Sequence, residues 1–181
     1  MAREEMSSTG PEWLHIVAAY LDTFGEQSRR LRRKLLCEFE AAPGTELAEA
    51  LLQEATTSRS PYALDSAVDF LAAIDTDILQ RLFDRARFRR EANVDFWDIL
   101  AGGIARSNAT TETRLGLLRR LLDSESQATR GTAVAALARM AHNGVSEAIS
   151  ELQTLAYGDD DETVDDETVK EEARLALDDL T

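Results

Sequence analysis

Cysteine, proline, glycine and lysine are all scarce in this 181-residue chain, and each shortage narrows what it can be. A single cysteine, Cys37, excludes an intrachain disulfide. With only two histidines far apart, His15 and His142, it also leaves no four-ligand zinc pattern. Three prolines and nine glycines provide few breaks, while Ala, Leu, Glu and Arg dominate, a composition that favours helix. No apolar run approaches the roughly 20 residues a membrane-spanning helix needs. The opening MAREEMSSTG lacks the cationic and then apolar order of a signal peptide, so a cytoplasmic protein is the default expectation. Alternating strand patterns are missing too, and no spacing for a nucleotide loop, a metal or a catalytic triad stands out.

What is abundant is acid. The net charge is −14 and it is unevenly spread. Residues 1–91 carry 12 basic and 16 acidic groups, residues 92–144 carry 6 and 5, and residues 145–181 carry 2 and 13. Duplex DNA and anionic lipid are poor ligands for such an end, because approach adds repulsion instead of releasing counterions. A basic protein surface suits it better. Basic residues are almost all arginine, the exceptions being Lys34 and Lys170, as a GC-rich genome or adaptation to high internal salt would produce.

Hydrophobic spacing predicts ten helices. Residues 1–8 read as a flexible tail, and Ser8 or Thr9 caps a first helix with Pro11 in its first turn. Trp13, Ile16, Val17, Tyr20, Leu21 and Phe24 line its inner face, and Gly25 ends it. A second helix covers about 26–42, with Leu31, Leu35, Leu36 and Phe39 inward and Pro43-Gly44 as the stop; Cys37 in this leucine-rich run is expected to be a buried thiol. A third opens at Thr45 with Leu47, Leu51 and Leu52 inward. Seven more fall at about 61–74, 77–91, 94–107, 111–123, 127–142, 145–157 and 166–179. Residues 9–181 then form one all-α domain.

Helices three to ten pair off. Leu51-Leu52, Leu82-Phe83, Leu121-Leu122 and Leu155-Ala156 close the first members. The second members carry Ala67-Val68 with Phe70-Leu71, Ile99-Leu100 with Gly102-Gly103, Ala133-Val134 with Ala136-Leu137, and Ala173 with Ala176-Leu177. The intervals suit two-helix repeats. The stretch from Leu121 to Leu137 resembles a HEAT repeat, in which a Leu-Leu helix end, an Asp, a short polar turn and Val-Arg precede Ala-Ala-x-Ala-Leu. Asp123 takes the Asp position, Thr129 stands where Val is usual, and Arg130 takes the Arg. Val169-Lys170 with Ala173, Ala176 and Leu177 is similar, with Lys170 in the Arg position, while the two earlier pairs match only in apolar spacing. The resemblance covers about residues 45–180. It implies a right-handed α-solenoid of about four hairpins with an N-terminal helical pair and a concave face lined by the second helices. It also implies that Asp123, Arg130 and Lys170 join adjacent repeats at their turns.

Several residues are candidates for contact with a partner. Arg81, Arg85 and Arg89 sit four apart and make one helical stripe, either a salt-bridged solvated face or an anion-binding ridge. Asp77 precedes Arg81 by four and can pair with it. Arg29, Arg30, Arg32, Arg33 and Lys34 form a second, more dispersed cluster. Trp97 lies beside Phe96, and since only one of these neighbours can face fully inward, the other is a candidate interface aromatic. Asp159, Asp160, Asp161 and Glu162 open an acidic insertion between the last two helices, readable as a solvated turn, a basic-partner contact or a cation site. Gly102-Gly103 inside a helix reads as close helix approach.

Three classes of function remain open. A non-enzymatic protein-binding module, such as an immunity or inhibitor protein that neutralises a basic toxin, fits the acidity, because complementary charge speeds association. The resemblance also admits an enzyme, since HEAT-like arrays include DNA glycosylases and bilin lyases; Arg81, Arg85, Arg89, Asp98 and Trp97 would then be the assembly. A structural subunit or assembly factor is the third. Neither a cofactor nor a metal is implied by any motif.

Overall fold

The computed structural model describes residues 12–23, 25–41, 46–86, 94–158 and 167–180. Among them are ten α-helices and no strand. They are α1 (Glu12–Leu21), α2 (Glu26–Ala41), α3 (Glu46–Thr57), α4 (Ala63–Ala73), α5 (Thr76–Ala86), α6 (Val94–Arg106), α7 (Thr111–Leu122), α8 (Gln127–His142), α9 (Ser146–Tyr157) and α10 (Glu167–Asp178). The all-α reading holds. The expected tail at 1–8, the Pro43-Gly44 stop and the last turns of the fifth expected helix lie outside the described residues.

Helix ends follow local chemistry. Thr110 caps α7 by accepting the Thr113 N–H at 3.2 Å, and Ser126 caps α8 by accepting the Thr129 N–H at 3.3 Å. At the end of α8 the chain needs a left-handed residue, and Gly144 provides it with φ +81°. The Gly144 N–H then donates to the Ala141 carbonyl at 2.9 Å and the Val145 N–H to that of Met140 at 3.1 Å.

The even-numbered helices pack side by side in chain order, α4 on α6, α6 on α8 and α8 on α10. Their shared seam is built from small and β-branched residues: Ala67 and Val68, then Ala101 and Ile104, then Ala133, Val134 and Ala136, then Val169 and Ala173, all buried. Gly103 marks the tightest point. A Cβ built there would lie 2.5 Å from the Leu71 Cβ, so α6 can approach α4 this closely only without a side chain. The glycine pair therefore serves packing. Each fully buried leucine of this core contributes about 1.5–3 kcal/mol of transfer free energy.

Odd-numbered helices lie against this row. α3 packs on α4, α7 on α8, and α9 on both α8 and α10. α5 meets α6 through large rings, the Phe83 and Trp97 centroids being 6.4 Å apart in edge-on geometry. At the N-terminal end α1 packs on α2, α3 and α4. Tyr20 ties α1 to α4: its hydroxyl donates to the Ser66 carbonyl at 2.7 Å and its ring lies 6.4 Å from that of Phe70. Burial pushes the Tyr20 phenol up to about 12.

One expectation fails. Cys37 is exposed, not buried. α2 turns Leu35 fully inward, with Leu31 and Leu36 half-buried beside it. A residue two positions after Leu35 lies about 200° around the helix, on the opposite face.

Candidate functional site

Among the residues singled out from the sequence, the structure brings some together and separates others. Arg81 is exposed on α5 and has no ion pair among the described residues. Arg85, one turn on, is engaged: its Nη1 lies 3.4 Å from the Glu49 Oε1 of α3. That stripe is thus partly an internal clamp between helices. Arg89 lies outside the described residues, as do Asp159, Asp160, Asp161 and Glu162.

Of the two neighbouring aromatics, Phe96 is the buried one and Trp97 stays half-buried. The Trp97 ring stands edge-on to Phe96 at 5.5 Å and to Phe83 at 6.4 Å. The cation over this cluster comes from α7, the Arg120 guanidinium lying 4.6 Å from the Phe83 centroid and bonding the Asp84 carboxylate. Of the two rings on α6, Trp97 is the one that stays partly exposed.

Between α7 and α8, Asp123 is exposed and closes α7, its backbone N–H donating to the Arg119 carbonyl at 3.1 Å. Arg130 reaches back across the same turn, its Nη1 donating to the Ser124 carbonyl at 2.6 Å. Lys170 is half-buried in the first turn of α10. Arg114 does the same for the preceding turn, donating from Nη1 to the Ala105 carbonyl at 2.9 Å at the end of α6.

Ion pairs that sequence reasoning missed link successive odd-numbered and successive even-numbered helices. On the odd-numbered helices Arg85 meets Glu49, Arg120 meets Asp84, and Arg119 meets Glu151. On the even-numbered helices Arg106 meets Asp69 at 3.2 Å and Arg139 meets Asp98 at 3.6 Å, while Arg32 of α2 also reaches Asp69 at 3.8 Å. Small residues make room for these arms. The Arg139 guanidinium lies over Gly102, and the Glu172 carboxylate lies over Gly131. A signal was available: a charged dipeptide recurs just before the ends of α5 (Asp84-Arg85) and α7 (Arg119-Arg120). Composition alone gives no reason to read it as a link.

The exposed surface of the even-numbered helices carries Asp65, Asp69, Asp95, Asp98, Arg106, Ala135, Arg139, Glu172 and Leu175. It is a mixed-charge face. Asp69 and Asp98 are already bridged; Asp65 and Asp95 are exposed in α4 and α6. Titration shifts elsewhere trace to similar links. Hydrogen bonding to Glu151 raises the Arg119 pKa, and bonding to Glu167 and Glu171 raises that of Arg174. The Glu147 carboxyl is lowered by its own backbone N–H and then by Ser146. These are the shifts of helix caps and ion pairs, which position elements and do not by themselves perform chemistry.

His15 and His142 are both exposed. Among the described residues no group of three His, Cys, Asp or Glu is placed to hold a metal ion, and no helix is long and apolar enough to cross a membrane. Comparison with protein families, with curated proteins and with solved structures gives no match.

Proposed function

We propose that this chain is a non-enzymatic protein-binding module, built as a right-handed α-solenoid of about four HEAT-like hairpins within a single domain spanning 9–181. The even-numbered helices would line its concave side. One observation carries this reading: α4, α6, α8 and α10 pack in chain order while ion pairs 36, 36 and 32 residues apart link α3, α5, α7 and α9 in the same order. A translational repeat produces such a register, and stacked repeats present an extended surface suited to gripping another macromolecule.

The partner we favour is a protein with a basic surface. Asp65, Asp95 and Glu172 are exposed on the even-numbered helices, and 13 acidic residues lie within 145–181. An inhibitor or immunity role against a basic toxin fits that chemistry, since opposite charge raises association rates steeply at low salt. The acidic segment Asp159–Glu162, Trp97 and Arg81 are the contact residues to test first. Arg85 is a poorer contact, because its pairing with Glu49 must break before it can bind anything else.

Capture on the tagged protein at graded salt tests the reading. The expected result is one stoichiometric partner of basic isoelectric point, released as salt rises. Recovery of bare protein at every salt concentration would remove the proposal. Firm retention on heparin at moderate salt would move the reading to nucleic acid and to the glycosylase-like alternative.

A further inference from the structure

We propose that the side of the molecule formed by α3, α5, α7 and α9 is compliant and sensitive to ionic strength, so that these helices separate under screening while α4, α6, α8 and α10 stay packed. The two rows are joined by different forces. Along the even-numbered helices the contact is close and apolar, with Gly103 at the closest point, and the ion pairs Arg106–Asp69 and Arg139–Asp98 only add to a seam already closed. Among the described residues no successive pair from α3, α5, α7 and α9 approaches so closely. Long side chains span those gaps instead.

The spanning residues form a zipper. α5 uses adjacent residues in opposite directions, Arg85 back to Glu49 and Asp84 forward to Arg120. α7 repeats the device, Arg120 reaching back and Arg119 forward to Glu151. Arg85 and Arg119 are more than half exposed, at 57% and 58%, and the Asp84 carboxylate is half exposed. Charges in that setting are screened by salt, whereas the alanine and valine seam opposite is not.

The steps also differ in strength. Arg119 holds Glu151 with two bonds, Nε to Oε1 at 2.9 Å and Nη2 to Oε2 at 2.7 Å. Arg120 adds its stacking on Phe83 to the bond with Asp84. Arg85 has a single contact of 3.4 Å with Glu49. Because the two rows share every hairpin, opening one row alone changes the bend of the whole array and hence the width of the even-numbered face.

Pulsed EPR distances between spin labels test this without any partner, in a Cys37→Ser background. Labels at the exposed positions Gln53 and Gln80 report the α3–α5 gap, Gln80 and Gln153 report α5 to α9, and Ala73 and Ala135 report α4 to α8. Salt is raised from about 0.01 M to about 1 M, shortening the Debye length from roughly 30 Å to roughly 3 Å. The Gln53–Gln80 and Gln80–Gln153 distributions should lengthen and broaden, and Ala73–Ala135 should hold. Arg119→Glu alone should give the high-salt α5–α9 distribution already at low salt, and Arg119→Glu with Glu151→Arg should restore the parent behaviour. Odd-row distances that ignore salt, or all three pairs moving together, would overturn the proposal.

Discussion

The two rows of helices in this molecule solve one problem, holding successive members together, by different means. Between α4, α6, α8 and α10 the sequence removes side-chain bulk, down to hydrogen at Gly103, and lets the helices touch. Between α3, α5, α7 and α9 it adds length, in Arg85, Arg119 and Arg120, and lets carboxylates close the gap. The first arrangement is short-ranged and unforgiving of added volume. The second tolerates movement, because an exposed ion pair contributes only about 0–1 kcal/mol. Stability should therefore reside in the even-numbered row and adaptability in the odd-numbered one.

Substitutions that break this contrast can be ranked. The largest effect is expected from Leu100→Ala in α6, a fully buried site, which should cost about 2–5 kcal/mol in urea denaturation. A loss below about 1 kcal/mol would mean that the even-numbered seam is not the stable side.

Next comes Tyr20, which decides whether α1 belongs to the tight side. Its phenol has an ordinary value of 10.0 when unfolded and about 12 when folded. A raised folded value contributes stability that is complete below pH 10 and lost as pH rises to about 12; a two-unit shift corresponds to about 2–3 kcal/mol. Denaturation midpoints should fall across that window in the parent protein and fall less in Tyr20→Phe. Parallel pH profiles for the two proteins would show that α1 is only loosely docked.

Two glycines sharpen the comparison further. Gly103→Ala should destabilise by about 1–2 kcal/mol, because overpacking against Leu71 exceeds the gain in helix propensity. Gly116→Ala in α7, where nothing lies within 4 Å of the new methyl, should stabilise by about 0.5–1 kcal/mol. Thermal melting of both variants would expose a failure, since equal signs would mean that the rows do not differ in tolerance for volume. Smallest of all, Arg119→Ala should cost less than about 1 kcal/mol at low salt, with the difference vanishing at high salt. A salt-independent loss would point to packing by the arginine stem instead.

Much of the helix plan was legible without coordinates. Leu47, Leu51 and Leu52, or Val17, Tyr20 and Leu21, repeat at the helical period, and their burial follows from one-sided hydrophobicity. The Gly102-Gly103 pair announced a close approach, since glycine inside a helix is unfavourable unless something requires it. Cys37 shows where such reading fails: a leucine-rich neighbourhood in sequence says nothing about the angle at which one residue leaves the helix. The arginine stripe left two readings open, and only contacts across the chain separate its members. Arg81 and Arg85 look equivalent four residues apart, yet only Arg85 faces the Glu49 that arrives from 36 residues away.

Sequence by itself determined the all-α class, the near-positions of the ten helices and many of the residues they turn inward, because these depend on periodicity and capping within a few residues. Only the tertiary structure decided which charges pair, that Phe96 and not Trp97 is buried, and that one row closes by apolar contact beneath its ion pairs while the other is spanned by ion pairs. Those outcomes depend on distances between separate helices, which no local pattern encodes.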